Sequence, residues 1–146
     1  MKTRSYKYYK KKVLGFKKIR VVVIGDLMLD EFIWGEVTRI SPEAPVPVVW
    51  VKKESFMPGG ASNVANNLRS LGAEVHIVGV VGDDENGAIL RGELEQKGIR
   101  TEGILTDGSR PTILKTRVVA HHQQVVRIDK EKKERLSDAM IAEMTA

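Results

Sequence analysis

Three short segments carry side chains suited to holding a hydroxylated small molecule: Gly25-Asp26-Leu27-Met28-Leu29-Asp30, Gly59-Gly60-Ala61-Ser62-Asn63 and Gly82-Asp83-Asp84. Carboxylates such as Asp26 and Asp30 accept hydrogen bonds from hydroxyl groups. Two glycines ahead of a helix let a ligand approach backbone N–H groups closely, and Asn63 in the first helical turn adds an amide that both donates and accepts. An anion alone would call for bases at these places, so the set points to a polyhydroxylated ligand. Each segment also has a purely structural use. The Gly-Gly pair suits a simple turn, Asp26 suits a local N–H cap, and Asp83 and Asp84 read first as helix caps. His121-His122 could suggest a metal, but adjacent histidines point opposite ways on extended chain and no third ligand has fitting spacing, so no metal site is expected. Neither G-x-G-x-x-G nor G-x-x-x-x-G-K-[ST] occurs, which removes the usual dinucleotide and P-loop readings. With no cysteine, thiolate zinc sites, Fe–S clusters, disulfides and thiol nucleophiles are excluded together.

The elements that must position these residues follow from patterning. Ile19 to Ile24 is a β-branched run closed by Gly25-Asp26 and reads as a strand buried on both faces, with the segment through Asp30 as the loop at its end. Phe32 to Ile40 and Val48 to Val51 read as extended chain around Pro42, Pro45 and Pro47. Ala61, Val64, Ala65, Leu68 and Leu71 form one apolar helical stripe stopped by Gly72. Val75 to Val81 is a second buried strand, Glu85 to Lys97 a helix stopped by Gly98, and Ile104-Leu105 a brief third strand. Ile113 to Ala120 and Val125 to Ile128 read as a hairpin, and Ser137 caps a last apolar helix. The expected class is α/β with a parallel core, plus an extra β layer from residues 32–56 and 112–129 whose two halves must meet in space. Ligands of such sheets bind beyond the carboxyl ends of the strands, where the three segments converge.

The chain has 146 residues, 42% hydrophobic and 29% charged, which is one soluble domain's worth of core. Residues 1–20 hold nine bases, Lys2, Arg4, Lys7, Lys10, Lys11, Lys12, Lys17, Lys18 and Arg20, and no acid, so the rest of the chain is net acidic. Tyr6, Tyr8 and Tyr9 interleave with them, a combination able to bind nucleic acid or an anionic surface. It is read as a solvated amphipathic lead-in, because nothing downstream looks like a nucleic-acid module. No apolar run approaches the roughly 18 residues of a membrane span, and a cytoplasmic domain is the expectation. The sequence reaches Ala146 inside an apolar helix after only three core strands, and reads as the N-terminal part of a larger domain.

Gly59-Gly60-Ala61-Ser62-Asn63-Val64-Ala65, Gly72 and Gly79-Val80-Val81-Gly82-Asp83-Asp84 together resemble the N-terminal signature of the ribokinase-like carbohydrate kinases, the phosphofructokinase B family. Within it, residues 25–30, Arg39-Ile40-Ser41-Pro42-Glu43-Ala44-Pro45-Val46-Pro47-Val48 and Gln123-Gln124-Val125-Val126-Arg127-Ile128-Asp129 are similar to the heptose 7-phosphate kinase branch, which serves ADP-heptose synthesis for lipopolysaccharide core. The resemblance covers residues 19–146, with 1–18 outside it. It implies a three-layer α/β sandwich, here its N-terminal portion, with a small β-sheet lid that closes over the sugar and often pairs two protomers. It assigns sugar contacts to Asp30, Gly59, Gly60 and Asn63, with Asp26 on the same loop. Lys115, Arg117, Gln124 and Arg127 fall on lid strands where a base meets the sugar's 7-phosphate. The complete enzyme would use ATP and Mg²⁺ to phosphorylate the anomeric hydroxyl, giving heptose 1,7-bisphosphate. The family's Gly-Ala-Gly-Asp motif, which supplies the catalytic base, is absent from this sequence, so the base and nucleotide site are expected downstream of Ala146. The implied partners are a sugar phosphate and a second copy of the chain through the lid, without nucleic acid or membrane. The expected lid face carries Trp34, Val48, Trp50, Val118 and Val126. The alternatives are a kinase for another sugar or sugar phosphate, and a non-catalytic sugar-binding or dimerisation module.

Overall fold

A computed structural model describes residues 5–145. Lys2 and Arg4 of the basic lead-in, and Ala146, lie outside the described residues. The chain runs through α1 (Tyr6–Gly15), a 3₁₀ turn (Phe16–Lys18), β1 (Arg20–Ile24), β2 (Leu27–Ile40), β3 (Pro47–Gly59), α2 (Gly60–Ser70), β4 (Glu74–Val81), α3 (Glu85–Gln96), β5 (Arg100–Thr106), β6 (Ile113–Ala120), β7 (Gln123–Lys130) and α4 (Asp138–Thr145). They form two sheets. One is parallel, in the order β1-β4-β5, and the other is mixed, in the order β3-β2-β6-β7. The two β inserts do meet: β2 and β6 lie parallel, from Met28 opposite Ile113 to Gly35 opposite Ala120. The core gathers Leu27 and Leu29 of β2, Val75 and Ile77 of β4, Ala65 of α2 and Leu90 of α3. Ser137 caps α4 as expected, its hydroxyl accepting from Met140 N at 3.2 Å.

Several expectations need correction. The strand at 20–24 is not buried on both faces. Val21 and Val23 pack on the core, whereas Val22 and Ile24 are 58% and 68% exposed, because the alternate face of β1 is left uncovered among the described residues. The loop expected through Asp30 turns at Gly25-Asp26 and then becomes β2, whose Leu27 and Leu29 are fully buried. Of the expected α2 stripe, Ala61, Ala65 and Leu68 pack on the core beside the buried Ser62, whereas Val64 and Leu71 are exposed. His121 and His122 lie at the turn of the hairpin, as expected from the strands placed on either side of them. Their φ values of 49° and 65° make the two-residue turn between β6 and β7, the left-handed pair that suits the twist of a hairpin.

Asp84 fills the capping role expected of it and extends it. Its Oδ1 accepts from Gly87 N at 2.9 Å, at the start of α3, and from the Thr112 hydroxyl at 2.6 Å, while Oδ2 accepts from Thr112 N at 3.0 Å. Thr112 Oγ1 in turn accepts from Gly82 N at 2.8 Å. Thr112 is buried at the entrance to β6, so this network ties the end of β4 and the start of α3 to the base of the second sheet. Burial pushes the Asp84 carboxyl upward, but the hydrogen bonds from Thr112 and Gly87 prevail and hold it below the ordinary carboxylate range. Asp84→Ala removes a helix cap and strands buried donors, a loss of roughly 2–4 kcal/mol. A full-length variant is expected to melt several degrees lower. The contribution of Asp84 is full above the unfolded carboxyl value, near 3.9, and is lost as pH falls through the lower folded value. Thermal melts from neutral to acid pH should therefore show the gap between wild type and variant closing below about pH 4. A variant that melts with the wild type at neutral pH would show that the network adds nothing.

Candidate functional site

The site is built where β2 leaves the core, because one strand there carries apolar side chains inward and a carboxylate on the alternate positions. Leu27 and Leu29 bury themselves and Asp30 lands on the other face. Asp30 is opposite Met57 of β3 on one side and Lys115 of β6 on the other. Arg117, opposite Phe32, reaches back so that its Nη1 donates to Asp30 Oδ1 at 2.6 Å. The two side chains are only 23% and 20% exposed. The guanidinium carbon also stands 5.4 Å from the centroid of the Phe32 ring.

The di-glycine closes this corner by leaving no room for anything else. A Cβ on Gly59 would stand 2.8 Å from both Cγ and Oδ2 of Asp30 and 2.9 Å from Met28 Cγ. Gly60 has φ +54°, and a Cβ there would meet the Asp26 carbonyl oxygen at 2.7 Å. That same carbonyl accepts from Ala61 N at 3.0 Å. Asp26 thereby fixes the entry into α2 through its backbone. Asn63 follows in the first turn of α2 and is exposed.

Beyond Arg117, the face holds a charged ladder. Lys115 lies 3.1 Å from Asp129 and 3.3 Å from Glu131. Arg127 grips Asp129 with both arms, Nε to Oδ1 at 2.9 Å and Nη2 to Oδ2 at 3.0 Å. The hydrogen bond from Lys115, reinforced by Arg127, holds the Asp129 carboxyl below its usual range, and the hydrogen bond to Asp129 raises Lys115. Asp30, Lys115, Arg117, Arg127 and Asp129 thus come together, since register pairs Lys115 with Asp129 and Arg117 with Arg127. Gln124 does not join them: it is exposed opposite Val119, next to the β6–β7 turn. Sequence reading missed Phe32 and Asp129 as parts of the site, although the alternation Arg127-Ile128-Asp129 beside Lys115-Thr116-Arg117 was a usable signal.

The expected apolar lid face divides in two. Val118 and Val126 line a hollow of about 510 Å³ with Ile33, Val49 and Val51. Val48 and Trp50 alternate with Val49 and Val51 and point the other way. Trp34 stacks on Phe32, ring centroids 5.8 Å apart, on the face of Asp30. A second hollow, about 450 Å³, opens beyond the carboxyl ends of β1 and β4, walled by Gly25, Asp26, Gly79, Arg110 and the 131–136 segment. Arg110 pairs there with Asp107 at 2.8 Å; Ser109, with Arg110 assisting, lowers the Asp107 carboxyl to about 2.

A carboxylate packed on a di-glycine at the start of a helix, under a β layer that brings a base to it, can accept hydrogen bonds from hydroxyl groups. The family model described as pfkB family carbohydrate kinase matches residues 18–143. The chain belongs to the pfkB carbohydrate kinase family. Among curated relatives in this family, the bifunctional protein HldE of Desulfatibacillum aliphaticivorans is 52% identical over 126 residues, covering 86% of this chain and 26% of that protein. HldE of Citrifermentans bemidjiense is 55% identical over 121 residues, covering 83% and 25%. HldE of Helicobacter pylori strain J99 is 55% identical over 118 residues, covering 81% and 26%. The pfkB chain described here therefore spans about a quarter of the length of these relatives. Solved structures share the ribokinase-like α/β fold. An Arabidopsis thaliana ribokinase complexed with ribose and ATP superposes with TM-score 0.63 at 19% identity, over 86% of this chain and 41% of that one. A carbohydrate kinase from Agrobacterium tumefaciens gives 0.62 at 24% identity, over 77% and 35%.

Proposed function

We propose that this chain is the sugar-holding part of an ATP-dependent heptose 7-phosphate kinase, which phosphorylates the anomeric hydroxyl to give heptose 1,7-bisphosphate for ADP-heptose and lipopolysaccharide core synthesis. The observation that carries the reading is the Asp30, Gly59, Gly60 and Arg117 corner, in a chain 52–55% identical to proteins named HldE. Residues 19–146 are taken as the N-terminal part of the kinase domain and 1–18 as a lead-in outside it. Segments 32–56 and 112–129 form the lid, an assignment supported by the mixed sheet that β2, β3, β6 and β7 build.

Asp30 accepts hydroxyl hydrogens of the sugar, Asn63 adds an amide at the helix start, and Gly59 and Gly60 let the ring lie against the backbone. Lys115, Arg117 and Arg127 are the bases available to the distal phosphate. All three already hold carboxylates, so a phosphate exchanges with Asp30, Asp129 or Glu131 rather than meeting a free cation. In the reaction the anomeric oxygen bonds to the γ-phosphorus, the γ-phosphorus to bridging-oxygen bond breaks, and the hydroxyl proton passes to a base. That base, the ATP site and its Mg²⁺ are assigned to the larger part of the enzyme, in line with relatives about four times as long. The enzyme works in the cytoplasm as a dimer joined through the hollow at Val118 and Val126, which would otherwise leave an apolar surface open.

ADP release by the full-length protein should be fastest with heptose 7-phosphate and much slower with fructose 6-phosphate or ribose. Preference for either of the latter overturns the heptose assignment. Sugar-dependent ATP turnover by the 146-residue chain alone overturns the division of labour. Light scattering on the full-length preparation should give a dimer that Val126→Asp converts to monomer. A wild type monomeric at micromolar concentration removes the lid interface.

A further inference from the structure

The 3₁₀ turn after α1 is anchored: Phe16 packs on the core, the Lys17 stem lies against Gly72, and Ile19 O accepts from Glu74 N at 3.1 Å. The helix before it is not. No residue of α1 is buried, and it holds Lys7, Lys10, Lys11 and Lys12 with no acid in its first turn. Tyr6, Tyr9, Val13 and Leu14 are 79%, 55%, 46% and 53% exposed. At 3.6 residues per turn these four fall within an arc of about 140°. Lys10 lies inside that arc, where its long stem can run along an apolar surface with the ammonium raised above it, and Lys7, Lys11 and Lys12 take the other side. A single ten-residue helix of this kind is marginal in water, and four lysines within six positions repel one another across its turns. Both features favour contact with a surface that is apolar below and negative above. The family match begins at residue 18, so α1 lies outside the kinase proper.

We infer that α1 docks the protein on an anionic phospholipid surface, its Tyr6, Tyr9, Val13 and Leu14 side entering the interface and its lysines pairing with headgroup phosphates. This goes beyond the expectation of a merely solvated lead-in without a membrane partner. Nucleic acid would use the lysines and tyrosines, but it gives no role to the exposed Val13 and Leu14. The inference does not depend on which sugar the enzyme phosphorylates.

The test is sedimentation of the full-length protein with vesicles of phosphatidylcholine, with or without about 30% phosphatidylglycerol. Binding to the anionic vesicles should be at least about ten-fold tighter and should fall at high salt. Lys10→Glu/Lys11→Glu/Lys12→Glu should abolish it. Tyr9→Ser/Val13→Ser, which keeps every charge, should weaken it several-fold. Neither set touches a buried residue, so unchanged melting serves as the folding control. Equal binding to both vesicle types, no binding, or indifference to Tyr9→Ser/Val13→Ser would overturn the inference. So would tighter binding to a DNA or RNA duplex at the same salt.

Discussion

Asp30→Ala in the complete kinase is expected to lower kcat/KM for the sugar on the order of 10- to 10²-fold while leaving the KM for ATP nearly unchanged. The sugar loses an acceptor that would be charged and shielded, and a hydrogen bond to a charged group contributes about 1.5–3 kcal/mol. At about 1.4 kcal/mol per decade that is the stated range. Arg117, about a quarter exposed, loses its 2.6 Å partner and keeps only a 3.4 Å bond to Lys115 O; that loss is common to the free and the substrate-bound enzyme and shows in stability rather than in kcat/KM. Arg117→Ala should be milder for sugar without phosphate and severe for the phosphorylated one, and the double variant should fall well short of the sum. If Asp30→Ala instead melts far below wild type and loses ATP and sugar equally, Asp30 is a structural residue.

Gly59→Ala should be nearly as damaging for a different reason. The added methyl would lie 2.8 Å from Asp30 Cγ and Oδ2 and 2.9 Å from Met28 Cγ, all closer than carbon and oxygen atoms pack. Met28 can swing away, but Asp30 is held by Arg117, so the carboxylate moves off the position it needs. Overpacking of this kind costs roughly 1–3 kcal/mol, and a displacement near one ångström at a reacting group is worth about a hundred-fold in rate. The expected signature in steady-state kinetics is a raised sugar KM and lowered kcat, with far-ultraviolet circular dichroism unchanged. Full activity in Gly59→Ala would mean that the corner is looser than its geometry implies. At Gly60 the methyl would meet the Asp26 carbonyl, and positive φ adds about 1–2 kcal/mol of backbone strain, so loss of folding is expected there first.

Much of this corner was legible because glycine, aspartate and helix-start spacing are local signals. The cap at Asp84, the stop glycines Gly72 and Gly98 at positive φ, and the hairpin spanning residues 113–130 all follow from short-range rules. What was not legible depends on partners far along the chain. That Leu27 to Asp30 is strand rather than loop is decided by pairing with β3 and β6, not by the residues themselves. The Arg117–Asp30 pair bridges 87 positions. The division of the lid's apolar residues between two faces follows from register shifts at Trp34/Gly35 and Val37/Arg39, which change which residues share a side. The exposure of Val22 and Ile24 reflects a strand face left uncovered among the described residues, and a hydrophobic run reads the same whether one face or both are covered.

The parallel pairing of β2 with β6 has a consequence for how the protein is made. β2 and β3 form a hairpin from neighbouring sequence, but the other edge of β2 finds its partner only across a separation of about 85 residues, as the Thr116 to Glu31 bond marks. During synthesis the ribosome must release the whole of α2, β4, α3 and β5 before that edge is covered, and at 5–20 residues per second this takes about 4–17 s. Through that interval a long strand with open backbone donors and acceptors is available to other chains. The second sheet, and with it the Asp30–Arg117 pair, is then among the last structure to form, and a nascent chain stalled before residue 113 would be the species most in need of a chaperone.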